Sequence, residues 1–275
     1  MKKLLVFILF VLIGVIQIAV AQQDSCTYSL EGSIDFLAVD SSNNFAPSNY
    51  QYPSFREDDT LTVEKLISKI RGKKWPGSSL KDGKLYHDLP FPGFENFSSH
   101  RSKSKVRWNH ICNYISVQGK TVLDIGCSVG AFSILSSLSG ATKVLGVDYD
   151  QQSIEVAKYV ASKVGAKNVE FWCCNIDSKF IENIDYFNVI IWLSQWMWLV
   201  KQLGMSEAKK LLYLASKKSD SMIFESAADD GMARIKGTTQ ADIENIFSSN
   251  TRYSKVRNIG TTPGWKKRNI LIGEV

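Results

Sequence analysis

The sequence predicts an α/β fold: a doubly wound, mostly parallel sheet preceded by an N-terminal extension. Three observations predict it. From Lys120 onward, short apolar runs alternate with amphipathic helical patterns, as expected of parallel strands covered on both faces. The first of these runs passes through a glycine-bearing turn directly into a helix. The last two runs are separated by Gly260-Thr-Thr-Pro-Gly264 with no helix between them, so they form an antiparallel hairpin.

Taken in order, the chain begins with Met1-Lys-Lys3, an apolar run over residues 4–20 broken only by Gly14 and Gln17, and Ala19-Val-Ala21 before Gln22. A basic start, an apolar middle and small residues at a cut are the three parts of a secretory signal peptide. The run is slightly short of the roughly 20 residues that span a bilayer, and an uncleaved anchor is the alternative. Membrane contact would then pass through residues 4–20 alone. Either way the basic start directs the remainder across the membrane; a start codon placed too early would leave the domain in the cytoplasm.

Residues 22–60, rich in Ser, Asn, Asp and Tyr, read as irregular. Val63, Leu66, Ile67 and Ile70 recur at helical spacing, and residues 72–100 are loop-like, with Pro90-Phe-Pro-Gly93 among them. Ser102 or Ser104 opens a helix whose apolar positions Val106, Trp108, Ile111, Cys112 and Ile115 run to Gly119. Strands are expected over 121–125, 143–147, 169–174, 187–193, 222–225, 254–259 and 269–273. Helices are expected near 131–138, 151–164, 206–218 and 239–248, with Asp150 capping the second, Gly165 ending it and Thr239-x-x-Asp242 boxing the last. The expected division is a leader over 1–21, an extension over 22–100 and a catalytic-type domain over 101–275.

With 44% hydrophobic and 22% charged residues the 275-residue chain can close a core, which excludes disorder and collagen-like repetition. Thirty-three Lys and Arg against 27 Asp and Glu give +6, too mild to support nucleic acid as a partner without a clustered patch. The basic groups at 69–74, 101–107 and 266–268 read as solvated faces, with a phosphate-binding surface as the alternative. The five Cys, at 26, 112, 127, 173 and 174, contain no CxxC pair and are odd in number. They fit neither a zinc cage nor a complete disulfide framework and read mostly as small buried hydrophobes. His87, His100 and His110 are not at metal-ligand spacing, so no metal is expected.

The stretch that carries chemistry is Val122-Leu-Asp-Ile-Gly-Cys-Ser-Val-Gly-Ala-Phe132. A turn at the carboxyl end of the first strand is where doubly wound sheets bind nucleotides. A dinucleotide fingerprint would need glycine where Ser128 stands, so that backbone could approach a pyrophosphate. Asp124 would also repel a pyrophosphate, whereas it attracts a cation. S-adenosylmethionine carries an ammonium and a sulfonium and no phosphate, so the same Asp124 becomes favourable for it. Asp148, twenty-four residues on, ends the second strand as a bidentate acceptor for ribose hydroxyls. Asn175 and Ile176 follow the third strand, where an amide can bond the adenine amino group and an apolar side chain can cover the ring.

These residues resemble those of the class I S-adenosylmethionine-dependent methyltransferases, over about residues 100–275. Asp124-Ile-Gly-Cys-Ser-Val-Gly130 is similar to the first motif of that family, Asp148 to its ribose-binding acid, and Cys174-Asn175-Ile176 to its adenine-contacting segment, where Asp is commoner than Asn. The resemblance implies a Rossmann-like seven-stranded sheet in the order 3-2-1-4-5-7-6 with one antiparallel strand. It also implies cofactor contacts at Asp124, Gly126, Cys127, Ser128, Gly130, Asp148, Tyr149, Asn175, Ile176 and Leu193. Leu85-Tyr-His-Asp-Leu-Pro90 and the segment from Arg101 to Trp108 resemble, more narrowly, the branch containing tRNA wobble-uridine carboxymethyltransferases.

On the substrate side, Trp196 and Trp198 offer either a flat wall for a planar small-molecule acceptor or packing for the next helix, while Trp192 reads as core. Gln195 and Glu225 are the catalytic candidates, and Arg101 joins Gln195, Trp196 and Trp198 as a substrate contact. Methyl transfer driven by alignment needs no dedicated base when the acceptor is already nucleophilic. The expected function is methyl transfer to an unidentified acceptor. A non-catalytic domain that keeps the ligand is the alternative, and an NAD-dependent oxidoreductase, opposed by Ser128 and Asp124, ranks third.

Overall fold

A computed structural model describes residues 65, 85–94, 97, 99–229, 235–262 and 267–275, the side chains of 85, 86 and 99–102 excepted. The leader, the extension up to residue 64 and most of the helix expected after Val63 lie outside the described residues.

Nine strands and seven helices follow one another among the described residues. They are β1 (Leu85–His87), β2 (Ser99–Ser102), α1 (Ser104–Cys112), β3 (Thr121–Ile125), α2 (Ala131–Leu138), β4 (Lys143–Asp148), α3 (Gln151–Lys163), β5 (Val169–Cys173), α4 (Ser178–Asn183), β6 (Phe187–Leu193), α5 (Trp196–Leu203), α6 (Met205–Ser216), β7 (Ser219–Glu225), α7 (Gln240–Ser249), β8 (Lys255–Thr261) and β9 (Asn269–Glu274). β3 to β9 form one sheet in the order β5-β4-β3-β6-β7-β9-β8. All pairings are parallel except those of β9 with β7 and β8. Counted from β3, this is the expected order 3-2-1-4-5-7-6 with one antiparallel strand.

The parallel strands bury both faces, so they read as continuous apolar runs. Val122, Val144, Val189, Ile191 and Ile223 face α1, α2 and α3 in one core, while Leu123, Leu145, Ile190, Trp192 and Phe224 face α5, α6 and α7 in the other. Side-chain caps set the helix starts. Asp150 accepts from Ser153 N at the head of α3, Asp177 from Phe180 N at the head of α4, and Thr239 and Asp242 complete a capping box on α7.

Four details depart from the expectations. α1 stops at Cys112 rather than running to Gly119, and Ile115 and Val117 reach the core from the connection that follows. α4 and α5 lie where no helix was expected. β1 and β2 pair in parallel within the stretch expected to be loop, and Leu89, Phe91, Phe94 and Phe97 are buried in the same core as Trp108 and Phe132. Cys112 is disulfide-bonded, its partner lying outside the described residues, so it is not simply a small buried hydrophobe; Cys127, Cys173 and Cys174 are free. No helix among the described residues is long and apolar enough to cross a membrane.

Candidate functional site

β3 delivers the chain into a tight turn in which Gly126, Ser128 and Gly130 all take positive φ, +75°, +51° and +79°. Gly126 N and Cys127 N donate to Val147 O at 2.8 and 3.0 Å, which pins the turn to the end of β4. A Cβ on Gly126 would lie 2.5 Å from Gln195 Cγ, and one on Gly130 would meet Ala157 and the Phe171 ring inside 3 Å. Glycine at these two positions is therefore required by conformation and space together. Gly130 leads into α2 with no side-chain cap.

Asp124 sits beneath this turn, buried, accepting from Ser133 Oγ at 2.6 Å and from the Ser133 backbone N–H. Burial pushes its carboxyl up to about 7, against the opposing pull of Ser133 and Arg107. Asp148, also buried, accepts from Ser128 N at 2.9 Å through Oδ2 and from Asp150 N at 3.0 Å through Oδ1. Burial raises its pKa, and these backbone donors act the other way. One carboxylate thus joins the turn after β3 to the turn after β4. Each of its oxygens keeps a lone pair for a hydroxyl.

The remaining cofactor candidates surround that joint. Tyr149, 55% exposed, follows Asp148, and its phenol is pushed up to about 12 by burial and by the neighbouring Asp148 and Asp150 carboxylates. Cys127 and Leu193 are buried, Ile176 is buried and Asn175 exposed. Cys174 N bonds Asp148 O at 3.0 Å, which brings the residues after β5 to the same rim. A groove of about 650 Å³ touches Asn175 and Cys174, but it also reaches Lys143 and Asp185 at the opposite ends of the strands. It follows the sheet face beside α4 rather than the crevice.

Across the crevice, Ser194 takes φ +60° after β6, and its N–H bonds Glu225 O at 2.9 Å. Trp192 Nε1 donates to Gln195 Oε1 at 2.7 Å, which holds Gln195 over Gly126. Trp196 is not a substrate wall. It is 0% exposed, bonds Ala208 O through Nε1 and packs edge-on against Phe224. The run Trp196-Met197-Trp198-Leu199 is the first turn of α5, whose inward face must be filled. Trp198 is half-buried beneath Lys201. The side chain of Arg101, in β2, lies outside the described residues.

Glu225 is 1% exposed with both oxygens occupied. Oε1 accepts from Ser194 Oγ at 2.9 Å and Arg268 Nη1 at 3.3 Å, and Oε2 pairs with Arg107 Nη2. This carboxylate holds two guanidiniums rather than standing free as a base. Arg107 and Arg268, expected on solvated basic faces, are instead buried, and the role of Arg107 is what sequence reasoning missed. Arg107 is 1% exposed, reaches Ser194 Oγ at 3.3 Å, lies over Phe132 and leaves its Nε without a partner. The signal was present, because the buried stripe of α1 is Ser104, Arg107, Trp108, Ile111 and Cys112. A cation falls on an apolar face at i, i+3, i+4 spacing.

The turn, Asp148 and Asp124 fit a ligand that is cationic at one end and bears adjacent hydroxyls, and the bare backbone at Gly126 leaves room for Gln195 to lie over the turn. The orphaned Arg107 Nε fits a carboxylate. Among the described residues, no group of His, Cys, Asp and Glu could hold a metal ion.

Comparison with known proteins agrees with this chemistry. The family model described as a methyltransferase domain matches residues 116–227. The ribosomal protein L11 methyltransferase of Vibrio campbellii is 37% identical over 159 residues, 50% of this chain and 54% of that protein. The ubiquinone biosynthesis O-methyltransferase of Neisseria meningitidis serogroup C is 27% identical over 111 residues, 40% of each chain. The chain thus spans about half or less of the length of these curated relatives. Among solved structures, the bifunctional kinase-methyltransferase WbdD superposes with a TM-score of 0.59 at 20% identity, over 77% of this chain and 46% of that one. The N-terminal domain of EvdMO1 with S-adenosylhomocysteine bound gives 0.56 at 14% identity, over 81% and 98%. These likenesses reach the wider class and do not carry the narrower one to tRNA wobble-uridine carboxymethyltransferases. Residues 116–227 of this chain thus match a methyltransferase domain, and the turn and the sheet order are those expected of the class I S-adenosylmethionine-dependent kind.

Proposed function

We propose that this domain transfers a methyl group to an acceptor held at the carboxyl ends of β6 and β7. The observation that carries the reading is the Asp148 joint, a buried carboxylate that closes the turn after β3 and still has lone pairs for ribose hydroxyls. S-adenosylmethionine supplies a methyl group on a sulfonium, activated for in-line displacement. The chain's own residues align the reactants. Asp124 attracts the ammonium, Ile176 and Asn175 lie at the adenine end, and Gln195 lies over the Gly126 turn. Alignment of this kind is worth several orders of magnitude in rate without any covalent step by the protein.

The relatives are named for different acceptors, ubiquinone biosynthesis in one and ribosomal protein L11 in another, so their names support the chemistry and leave the acceptor open. The test is calorimetric titration with S-adenosylhomocysteine, NADH as control, followed by transfer of labelled methyl to an acceptor panel. Binding with transfer supports the reading. Binding without transfer to any acceptor favours a non-catalytic domain, and tight NADH binding overturns the cofactor.

We further infer that residues 1–21 direct export and that the mature chain begins at Gln22. The basic start, apolar run and Ala19/Ala21 support it, and so does the disulfide at Cys112, since such bonds persist in oxidising compartments. Intact mass from the native host decides. Loss of 21 residues is expected; a full-length membrane-bound chain means an anchor, and a soluble cytoplasmic chain with a later start overturns both.

A further inference from the structure

With ribose at Asp148, at the end of β4, and adenine at Asn175 and Ile176, after β5, the cofactor crosses the strand ends in a set direction. In the order β5-β4-β3-β6, the next strands past the ribose are β3 and then β6. Neighbouring strands lie about 4.8 Å apart, so the sulfur and the amino-acid end of a ligand running on that way pass over the Gly126 turn toward β6. Here the strand order also reverses, which is where a doubly wound sheet opens its crevice.

Gln195 reaches the same place from β6. Its Cγ and Cβ lie 2.5 and 2.7 Å from where a Cβ on Gly126 would stand, so its side chain rests on the bare backbone of the turn. The chain around it is firmly held. Ser194 leaves β6 at φ +60°, with its N–H bonded to Glu225 O at 2.9 Å and its hydroxyl to Glu225 Oε1 at 2.9 Å. Gln195 then takes the N-cap position of α5 without spending its side chain on the helix. Its amide instead faces Trp192, whose Nε1 donates to Oε1 at 2.7 Å. An indole nitrogen can only donate, so the amide oxygen is turned to Trp192 and the N–H donors are turned away from it. The indole itself is 0% exposed and packs edge-on against Phe224 at 6.5 Å between ring centres.

We propose that Trp192 is a positioning residue for cofactor recognition: its indole N–H turns the Gln195 amide so that the N–H donors meet the carboxylate at the cofactor's amino-acid end. This deepens the methyltransferase reading and rests on it. Donors suit a carboxylate and not an ammonium, which falls to Asp124 beneath the same turn. Arg107 is 1% exposed whereas Gln195 is partly exposed, so of these two groups suited to a carboxylate the amide is the one within reach of a ligand in the crevice. A hydrogen bond to an ionised acceptor is roughly twice as strong as a neutral one, so the orientation of the amide matters energetically. Without the indole N–H the amide is free to turn over, and its oxygen then repels the carboxylate. Trp192, which reads as core from the sequence, serves the core with its ring and the site with its nitrogen.

The test compares two ligands of the full chain by calorimetry: S-adenosylhomocysteine, and 5′-methylthioadenosine, which keeps the nucleoside and the thioether but lacks the amino-acid end. Trp192→Phe keeps an aromatic ring in the core and removes the donor. It is expected to weaken S-adenosylhomocysteine about tenfold, the scale of one hydrogen bond to a charged group, and to leave methylthioadenosine within about twofold. Gln195→Met, at a partly exposed position, is expected to give the same selective loss, and the double variant no more than either alone. Equal weakening of both ligands means a purely structural role and overturns the proposal. So does unchanged S-adenosylhomocysteine affinity in either single variant, or fully additive losses in the double variant. Should Trp192→Phe fail to fold, the indole N–H resonance of Trp192 in the wild-type chain, identified by its displacement in Gln195→Met, decides instead. It is expected to move on adding S-adenosylhomocysteine and not methylthioadenosine; equal movement with both, or none with either, overturns the proposal. Failure of the wild-type chain to bind S-adenosylhomocysteine at all is a separate result, and it overturns the methyltransferase reading instead.

Discussion

At the ends of β3 and β4 the polar contacts are made largely by backbone N–H groups within one βαβ unit, whereas at the ends of β6 and β7 they are made by side chains gathered from distant parts of the chain. The bond from Ser128 N to Asp148 spans 20 residues. Those from Arg107 and Arg268 to Glu225 span 118 and 43. The first side depends on backbone shape, so it needs glycine at Gly126 and Gly130 and one carboxylate to lock it. The second is a buried ion cluster, whose attraction must offset the loss of hydration of three charges, and which is fragile when one member is removed. The cofactor half of the crevice thus behaves as a local motif and the acceptor half as a property of the whole fold.

The largest effect that would sharpen this contrast is on stability. Glu225→Ala leaves two buried guanidiniums without their carboxylate and is expected to lower stability by about 3–5 kcal/mol in urea unfolding, the scale of a broken buried pair. A cost below about 1 kcal/mol would show the cluster to be solvated and the contrast false. Next is Asp148→Ala, expected to weaken S-adenosylhomocysteine by about 2–3 kcal/mol, as for loss of a charged acceptor; unchanged affinity would remove the ribose assignment.

A smaller effect is a pH dependence on the local side. With its pKa near 7, Asp124 is mostly protonated at pH 6 and mostly ionised at pH 8. The ionised form attracts the ligand's ammonium, so S-adenosylhomocysteine affinity is expected to rise up to about tenfold between those values. The rise should vanish in Asp124→Asn. In the ligand-free protein the sign is opposite. A carboxyl whose folded pKa lies above its unfolded one loses stabilisation as pH rises from about 4 to about 7. His87, held neutral in the fold, opposes this below its ordinary value. The smallest effect is Ser128→Gly. It relieves a left-handed non-glycine residue, offset in part by glycine's greater chain entropy, for a gain of about 0.5 kcal/mol with ligand affinity kept.

Legibility in the sequence follows the same division. The strands over 121–125 and 187–193 have the bounds read from the sequence, because a strand buried on both faces leaves an apolar run that nothing interrupts. Asp124, Gly126 and Asp148 were legible because one turn and one strand end gather them. For Arg107 the apolar helix face was legible but the role was not, since the partner that explains it stands 118 residues away. Trp196 misled for a related reason. An aromatic just past a strand serves a wall or a core equally well until the position of the next helix is known, and here α6 receives it through Ala208 O. β1 and β2 are three and four residues long, too short for alternation to register.

The placement of β9 between β7 and β8 also decides what the two rims of the sheet present to other molecules. β8 forms one rim with Lys255, Arg257 and Asn258 exposed and its register shifted before Gly260. Positive charge and irregular pairing there discourage a second chain from adding a strand. β5 forms the other rim and exposes Trp172 and Cys173 beside the single carboxylate of Glu170. Any added strand is therefore expected at β5 rather than β8, and Trp172→Lys is expected to reduce aggregation in concentrated solution, as light scattering would show.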